Sequence, residues 1–139
     1  DIMLIDEVLS VGDQKFKKKS YEKKGKYLRK RPIQPIIEQI NRIREKYEEI
    51  EIYILSCSSS NEMVKEKDEW LDIYMPNIKK ENGEYTNENI HKVKSEYIKN
   101  SISNNEVAVL IDDDNRILSE SLKILGNNVI PIHVTSLLI

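Results

Sequence analysis

Three short apolar runs along the chain each stop on a polar or acidic residue. Uniformly apolar runs of this length are typical of strands buried on both faces of a parallel sheet. Open α/β sheets bind ligands outside the carboxyl ends of their strands, so the residue that ends each run is a candidate site residue. The runs with their final residues are Ile2 to Asp6, Glu51 to Ser56, and Val107 to Asp112 with Asp113 and Asp114 behind it.

The segments between these strands show helical spacing of apolar residues. One helical face is predicted after the Arg31 to Pro35 stretch, whose prolines should halt any helix there. A second helix should start at the capping-box pair Ser59 and Glu62 and end before Pro76. A polar loop is expected over residues 77–86, followed by a helix from about Asn87. The first face comprises Ile36, Ile37, Ile40, Ile43, Tyr47 and Ile50, and the third helix presents Ile90, Val93, Tyr97 and Ile98.

The C-terminal part of the chain continues the alternation. A helix is predicted from Arg116 to Leu125, ending at Gly126, which suits a helix C-terminus. A last strand is predicted from Val129 to Val134, and its Pro131 suits a sheet edge. Strands alternating with helices predict an α/β fold, here a three-layer sandwich with a mainly parallel sheet. The 139 residues suit a single domain spanning 1–139.

Charge is distributed unevenly along the chain. The net charge is only −2, yet residues 15–31 hold ten Lys or Arg against the single acid Glu22. This basic segment, about residues 12–32, is predicted to be a solvated flap or linker, and nucleic acid is the alternative partner for it. Cys57 is the single cysteine, and no apolar run approaches the ~20 residues of a membrane span. Both features favour a cytoplasmic protein without membrane contact.

The order of motifs resembles that of the haloacid dehalogenase (HAD)-like phosphohydrolase superfamily. The resemblance covers most of the chain and depends on the strand ending in Asp6, the stretch IYILS, a Trp-Leu helix ending in proline, a Lys-x-x-Tyr-Ile helix and the stretch VLIDDD. It implies a Rossmannoid sheet. The span from Asp6 to Pro32 is too short for a large cap domain, so an open site accepting a phosphorylated small molecule or macromolecule is expected.

The resemblance also implies roles for individual residues. Asp6 would be the nucleophile that forms an aspartyl phosphate, and Ser56 would bind the phosphoryl oxygens. Asp6, Asp112 and Asp113 would hold Mg²⁺, whose preferred ligands are oxygens. Lys94 is the expected site lysine, with Lys92, Lys79 and Lys80 as the alternatives. The implied reaction is Mg²⁺-dependent hydrolysis of a phosphate ester.

Val8 departs from the family pattern. In active phosphatases of the superfamily, an aspartate two residues after the nucleophile protonates the leaving group, and Val8 stands at that position. Glu7 is adjacent, but successive strand residues point to opposite faces. General acid-base catalysis contributes roughly 10²–10⁴-fold, so hydrolysis is expected to be slow or lost. A catalytically inactive module that binds a phosphorylated ligand, nucleic acid or protein partner is the alternative function.

Residues 1–19 also resemble the Walker B and D-loop stretch of ABC transporter ATPases. In that setting Asp6 would lie on Mg²⁺ and Glu7 would activate water. The Gly-rich Walker A loop that must cradle the phosphates does not occur in the sequence. The chain by itself is therefore not expected to work as an ABC ATPase.

Overall fold

The computed structural model describes residues 2–5, 27–58, 61–84 and 92–138. Short 3-10 turns over Tyr27–Arg29, Gly126–Asn128 and Val134–Leu137 accompany the main elements. In chain order the strands and helices are β1 (Ile2–Ile5), α1 (Gln34–Lys46), β2 (Glu51–Ser58), α2 (Asn61–Tyr74), β3 (Lys79–Glu84), α3 (Val93–Ser101), β4 (Ala108–Asp112), α4 (Asn115–Leu125) and β5 (Val129–His133).

The five strands form one sheet in the order β3-β2-β1-β4-β5. All four strand pairings are parallel, which confirms the predicted α/β class and parallel sheet. The central strand β1 lies between β2 and β4, and its last residue, Ile5, is in register with Ile54 and Ile111. The carboxyl ends of β1, β2 and β4 therefore lie at the same edge of the sheet.

Two clusters of buried apolar side chains divide the described helices into two groups. The first cluster contains side chains of α1 and α2, and the second contains side chains of α3 and α4. In β2, Ile54 belongs to the first cluster and Leu55 to the second, while in β4 Ile111 belongs to the first and Leu110 to the second. Successive strand residues point to opposite faces, so the two clusters cover opposite faces of the sheet.

Helix α1 differs from its prediction at both ends. It begins at Gln34 with Pro35 in its first turn. A proline is tolerated there because the N–H that it lacks would have no hydrogen-bond partner within the helix. It ends at Lys46, so Tyr47 and Ile50 do not lie on its face as expected. They belong to the turn before β2, in which the Ile50 N–H donates to the Tyr47 carbonyl at 3.1 Å.

The predicted polar loop over residues 77–86 is wrong, because Lys79–Glu84 forms strand β3. This strand pairs in parallel with β2, with Lys79 opposite Tyr53. It is one of the two edge strands of the sheet, and its pairing is made by backbone groups, so it does not require apolar side chains. The sequence KKENGE therefore lacks the apolar pattern by which the buried strands were found.

The remaining elements agree with their predictions where the structure describes them. Helix α2 is found as expected, while Ser59 of its proposed capping box lies outside the described residues, as do residues 85–91 before α3. Helix α4 ends at Leu125, and Gly126 follows with φ 54° and ψ −120°, a conformation that favours glycine. Pro131 lies on β5, an edge strand as predicted.

The C-terminal end of the basic segment packs against α2. The indole Nε1–H of Trp70 donates to the backbone carbonyl of Lys30 at 2.9 Å, and the Lys30 side chain is buried. Lys30 therefore does not belong to a solvated basic face, whereas Arg29 and Arg31 are exposed. Residues 6–26, with most of the predicted flap, lie outside the described residues. None of the helices that the structure describes is long and apolar enough to span a membrane.

Candidate functional site

The carboxyl edge of the sheet brings two of the predicted site residues to either side of β1. Ser56 lies on β2 two residues after Ile54, and because β2 continues to Ser58, Ser56 does not close the strand as predicted. Asp112 ends β4 one residue after Ile111. Adjacent strands lie about 4.8 Å apart, so β2 and β4 are separated by roughly 10 Å with β1 between them. Ser56 and Asp112 are both buried, which is uncommon for side chains this polar.

Asp112 forms a buried ion pair with Lys94. Lys94 Nζ lies 2.8 Å from Asp112 Oδ2, and the two side chains are 6% and 0% exposed. The other carboxylate oxygen, Oδ1, accepts the backbone N–H of Asp114 at 3.0 Å. Lys94 is the lysine that the sequence favoured, and the structure places it on one of the predicted metal-binding acids.

A second buried lysine contacts Ser56. Lys67 Nζ donates to Ser56 Oγ at 2.7 Å, and Lys67 is only 2% exposed. Lys67 lies on the buried face of α2 and is not among the site residues predicted from the sequence. The available signal was its position three residues before Trp70 on the buried face of the helix, where an ammonium needs a polar partner.

The two lysines approach the sheet edge from opposite faces. Ser56 has the same strand parity as Ile54, on the face covered by α1 and α2, and Lys67 comes from α2. Asp112 has the same parity as Leu110, on the face covered by α3 and α4, and Lys94 comes from α3. The helices on one face thus supply the Lys67 ammonium to β2, and the helices on the other face supply the Lys94 ammonium to β4. These two strands flank β1.

The other acids after β4 have separate roles. Asp114 is the N-cap of α4, accepting the N–H of Arg116 at 2.9 Å and pairing with its guanidinium at 3.0 Å. This pairing raises the pKa of Arg116, chiefly through its side-chain hydrogen bond to Asp114. Of the three consecutive acids, Asp114 is thus the one that caps α4. Asp112 is fully buried and Asp113 is half-buried.

Asp113 is fixed through its backbone by the end of β5. His133 Nδ1 lies 2.7 Å from Thr135 Oγ1 and accepts the Thr135 N–H at 3.3 Å. Nε2 lies 3.1 Å from the Asp113 carbonyl oxygen and donates to it. His133 therefore joins the ends of β4 and β5 and limits the movement of Asp113.

The alternative lysines lie elsewhere. Lys92 is exposed at the start of α3. Lys79 is the first residue of the edge strand β3; its exposed ammonium lies 3.4 Å from Glu51 Oε1, and the hydrogen bond to Glu51 raises the pKa of Lys79. The hydrogen bond from Tyr53, followed by that from Lys79, lowers the pKa of Glu51. The Lys80 side chain lies outside the described part of the structure.

The predicted nucleophile and its neighbours are not described. Asp6, Glu7 and Val8 lie outside the described residues, and Asp6 follows Ile5, the last residue of β1, directly in the sequence. Among the described residues no group of three or more His, Cys, Asp or Glu is arranged to hold a metal ion. Asp112 and Asp113 provide carboxylate oxygens of the type that Mg²⁺ prefers, and the third predicted ligand, Asp6, lies outside the described residues.

Comparison of the chain with protein-family models, with curated proteins and with solved structures gives no match. The assignment of a function therefore depends on the residues at the carboxyl edge of the sheet. The two ammonium groups and the hydroxyl at this edge are donors of the kind that form charge-assisted hydrogen bonds with oxyanions. Lys67 and Ser56 lie on one face of the sheet, and Lys94 and Asp112 lie on the other.

Proposed function

We propose that the chain is a HAD-like phosphohydrolase domain that hydrolyses phosphate esters with Mg²⁺, slowly because Val8 replaces the general acid. The observation that supports this function most is the buried Lys94–Asp112 pair at the end of β4. A lysine paired with a strand-end aspartate is what the predicted site requires, and these two residues are 18 positions apart in the chain.

The strand order supports the same site. The connections from β1 through β2 to β3 run toward one edge, while β4 and β5 lie on the other side of β1. The order therefore reverses between β1 and β4, which makes that position the topological switch point, and ligands bind there in open α/β sheets. Asp112 ends β4 at this point, and β1 leads in sequence to Asp6.

We further infer a three-layer arrangement with no large cap domain. The separate clusters of α1 with α2 and of α3 with α4 support a helical layer on each face of the sheet. Residues 6–26 are too few for a cap domain of typical size. An open site of this kind would accept a bulky phosphorylated molecule.

Each residue then has a stated role. The Asp6 carboxylate attacks phosphorus and forms the aspartyl phosphate as the P–O ester bond breaks, and the alkoxide or phenoxide that leaves takes a proton from water, since Val8 cannot donate one. A water molecule then hydrolyses the aspartyl phosphate to inorganic phosphate. Ser56 donates a hydrogen bond to a phosphoryl oxygen, and Lys94 offsets negative charge while it holds Asp112 in place. Asp112 and Asp113 would hold Mg²⁺ together with Asp6, and the bound ion would supply charge neutralisation at the phosphoryl oxygens.

The experiment is hydrolysis of an aryl phosphate by the full chain in the presence of Mg²⁺. We expect slow turnover that is lost in Asp6→Asn and is weakened at least about 10-fold in Lys94→Met. Lys92→Met is the matched control, since Lys92 is exposed and directly precedes the same helix, and should retain full activity. Turnover that survives Asp6→Asn would overturn the hydrolase assignment.

A catalytically inactive binding module is the second candidate. The observation that favours it concerns Asp112, whose two carboxylate oxygens accept hydrogen bonds from Lys94 and from the Asp114 amide. These hydrogen bonds stabilise the buried carboxylate whether or not the site catalyses a reaction. Such a module would bind a phosphorylated ligand, a protein, or nucleic acid through the Lys15 to Arg31 segment, in the cytoplasm. Phosphate binding without any turnover, in wild type and in Val8→Asp alike, would establish this function.

A further inference from the structure

The buried hydrogen bond from Lys67 to Ser56 lies near the carboxyl edge of the sheet, and the proposed reaction gives Lys67 no role. Lys67 Nζ lies 2.7 Å from Ser56 Oγ, and the two residues are 2% and 4% exposed. Burying an ammonium is costly unless it is hydrogen-bonded, and unbranched apolar residues would fill the same space on α2 without that cost. The lysine is thus a poor choice for packing alone.

The contact determines what the Ser56 hydroxyl can do. A serine hydroxyl has one O–H donor and two acceptor lone pairs. The Lys67 ammonium can only donate, so it occupies an acceptor lone pair of Ser56 Oγ and the hydroxyl hydrogen must point to another acceptor. An ammonium on the oxygen also polarises the O–H bond and strengthens it as a donor. A phosphoryl oxygen is an acceptor that this donor suits.

We propose that Lys67 is a positioning residue that holds the Ser56 hydroxyl as a hydrogen-bond donor to a bound phosphoryl group. The inference rests on the proposed function, because it requires an oxyanion at the carboxyl edge of the sheet. It adds a second lysine to the site, acting through Ser56 from the α2 face, while Lys94 acts beside Asp112 from the α3 face.

The test is calorimetric titration of inorganic phosphate into the full chain and four variants, with Mg²⁺ present throughout. Lys67→Met keeps the aliphatic stem, and Ser56→Ala removes the hydroxyl. The double variant tests whether the two act as one unit. Lys65→Met is the matched control, because Lys65 is exposed two residues earlier on the same helix. Urea denaturation of each variant checks that it is folded.

We expect the Kd for phosphate to rise at least about 10-fold in Lys67→Met and in Ser56→Ala, as for loss of a hydrogen bond assisted by charge. In the Ser56→Ala background, Lys67→Met should add less than about 2-fold, because a residue that acts through Ser56 has nothing left to position. Lys65→Met should bind phosphate as the wild type does.

Two results would overturn the inference while leaving the proposed function intact. One is wild-type affinity in Lys67→Met when Ser56→Ala binds weakly. The other is an equal effect of Lys67→Met with and without the Ser56 hydroxyl, which would mean direct contact between Lys67 and phosphate. If Lys67→Met does not fold, Lys67→Gln keeps a donor without the charge and must weaken binding in the same Ser56-dependent way. A wild-type chain that binds no phosphate would overturn both proposals.

Discussion

The ammonium of Lys94 lies 2.8 Å from Oδ2 of Asp112, with both side chains withdrawn from solvent. The two residues come from different elements, α3 and the end of β4, so the pair exists only once the helix is docked on the sheet. A charge buried in this way depends on its partner far more than a surface charge does. The pair therefore couples the stability of the fold to the integrity of the candidate site.

Breaking this pair from either side should be costly. We expect Lys94→Met and Asp112→Asn each to lower the free energy of unfolding by about 3–5 kcal/mol, because each leaves a buried charge that has lost its counter-charge. The double variant should recover part of that loss, and exposed Lys92→Met should change stability by less than about 0.5 kcal/mol. Urea denaturation measures all four. Additive single effects would show that the two charges are not coupled.

Magnesium should stabilise the native chain if the strand-end acids bind it. A ligand that binds only the folded state raises the melting temperature by mass action, so millimolar Mg²⁺ should shift the melting curve upward and chelation should reverse the shift. Asp112→Ala should abolish the increment, and Asp113→Asn should reduce it. Glu120→Gln, at a half-buried acid of α4 that pairs with Lys123, is the control and should keep the increment. Identical curves with and without Mg²⁺ would contradict metal binding at this edge.

Restoring the missing acid should restore activity selectively. Val8→Asp is expected to raise turnover of an alkyl phosphate by at least about 10-fold, because that leaving group must be protonated. An aryl phosphate should gain less, since its leaving group needs little protonation. Steady-state rates on both substrates give the contrast. An equal gain on both would indicate a change in folding or metal affinity instead of proton transfer.

Gly126 should be required by its backbone conformation. Its φ of 54° and ψ of −120° disfavour any side chain, although no atom lies within 4 Å of where a Cβ would stand. We expect Gly126→Ala to lower the free energy of unfolding by about 1–3 kcal/mol through strain alone. Asn127→Ala, at the exposed neighbouring position, should have a much smaller effect. Equal stability of the two variants in thermal denaturation would show that the turn relaxes.

Glu106 should make stability depend on pH in the acid range. The backbone N–H of Ser103 donates to Glu106 Oε1 at 3.0 Å and lowers the pKa of Glu106. A folded-state pKa below the unfolded one stabilises the fold above the unfolded pKa, and this stabilisation is lost as the pH falls through the folded pKa. Glu106→Gln should therefore be less stable than wild type near pH 7, and the gap should close below pH 4.5. A difference in stability between the two proteins that does not vary with pH would mean that the substitution acts through packing and not through the charge of Glu106.

Much of the fold follows from local patterns in the chain. The buried strands are uniformly apolar because both of their faces are covered, and this property can be recognised without knowing which strands are neighbours. The same is true of α4, which Asp114 caps at its start and Gly126 follows at its end. The motif favours Lys94, and among the candidate lysines whose side chains the structure describes (Lys94, Lys92 and Lys79) it is Lys94 that pairs with Asp112.

The sequence by itself determined the class of fold, the apolar strands, and the polar residues Ser56 within β2 and Asp112 at the end of β4, because these depend on residue type and short-range spacing. Only the tertiary structure decided that β3 is a strand, since its pairing is made by backbone groups beside β2. It alone placed Lys67 on Ser56, because which polar group meets a buried ammonium depends on how α2 is docked on the sheet. Contacts between distant residues are decided by the packing of whole elements, which no local pattern records.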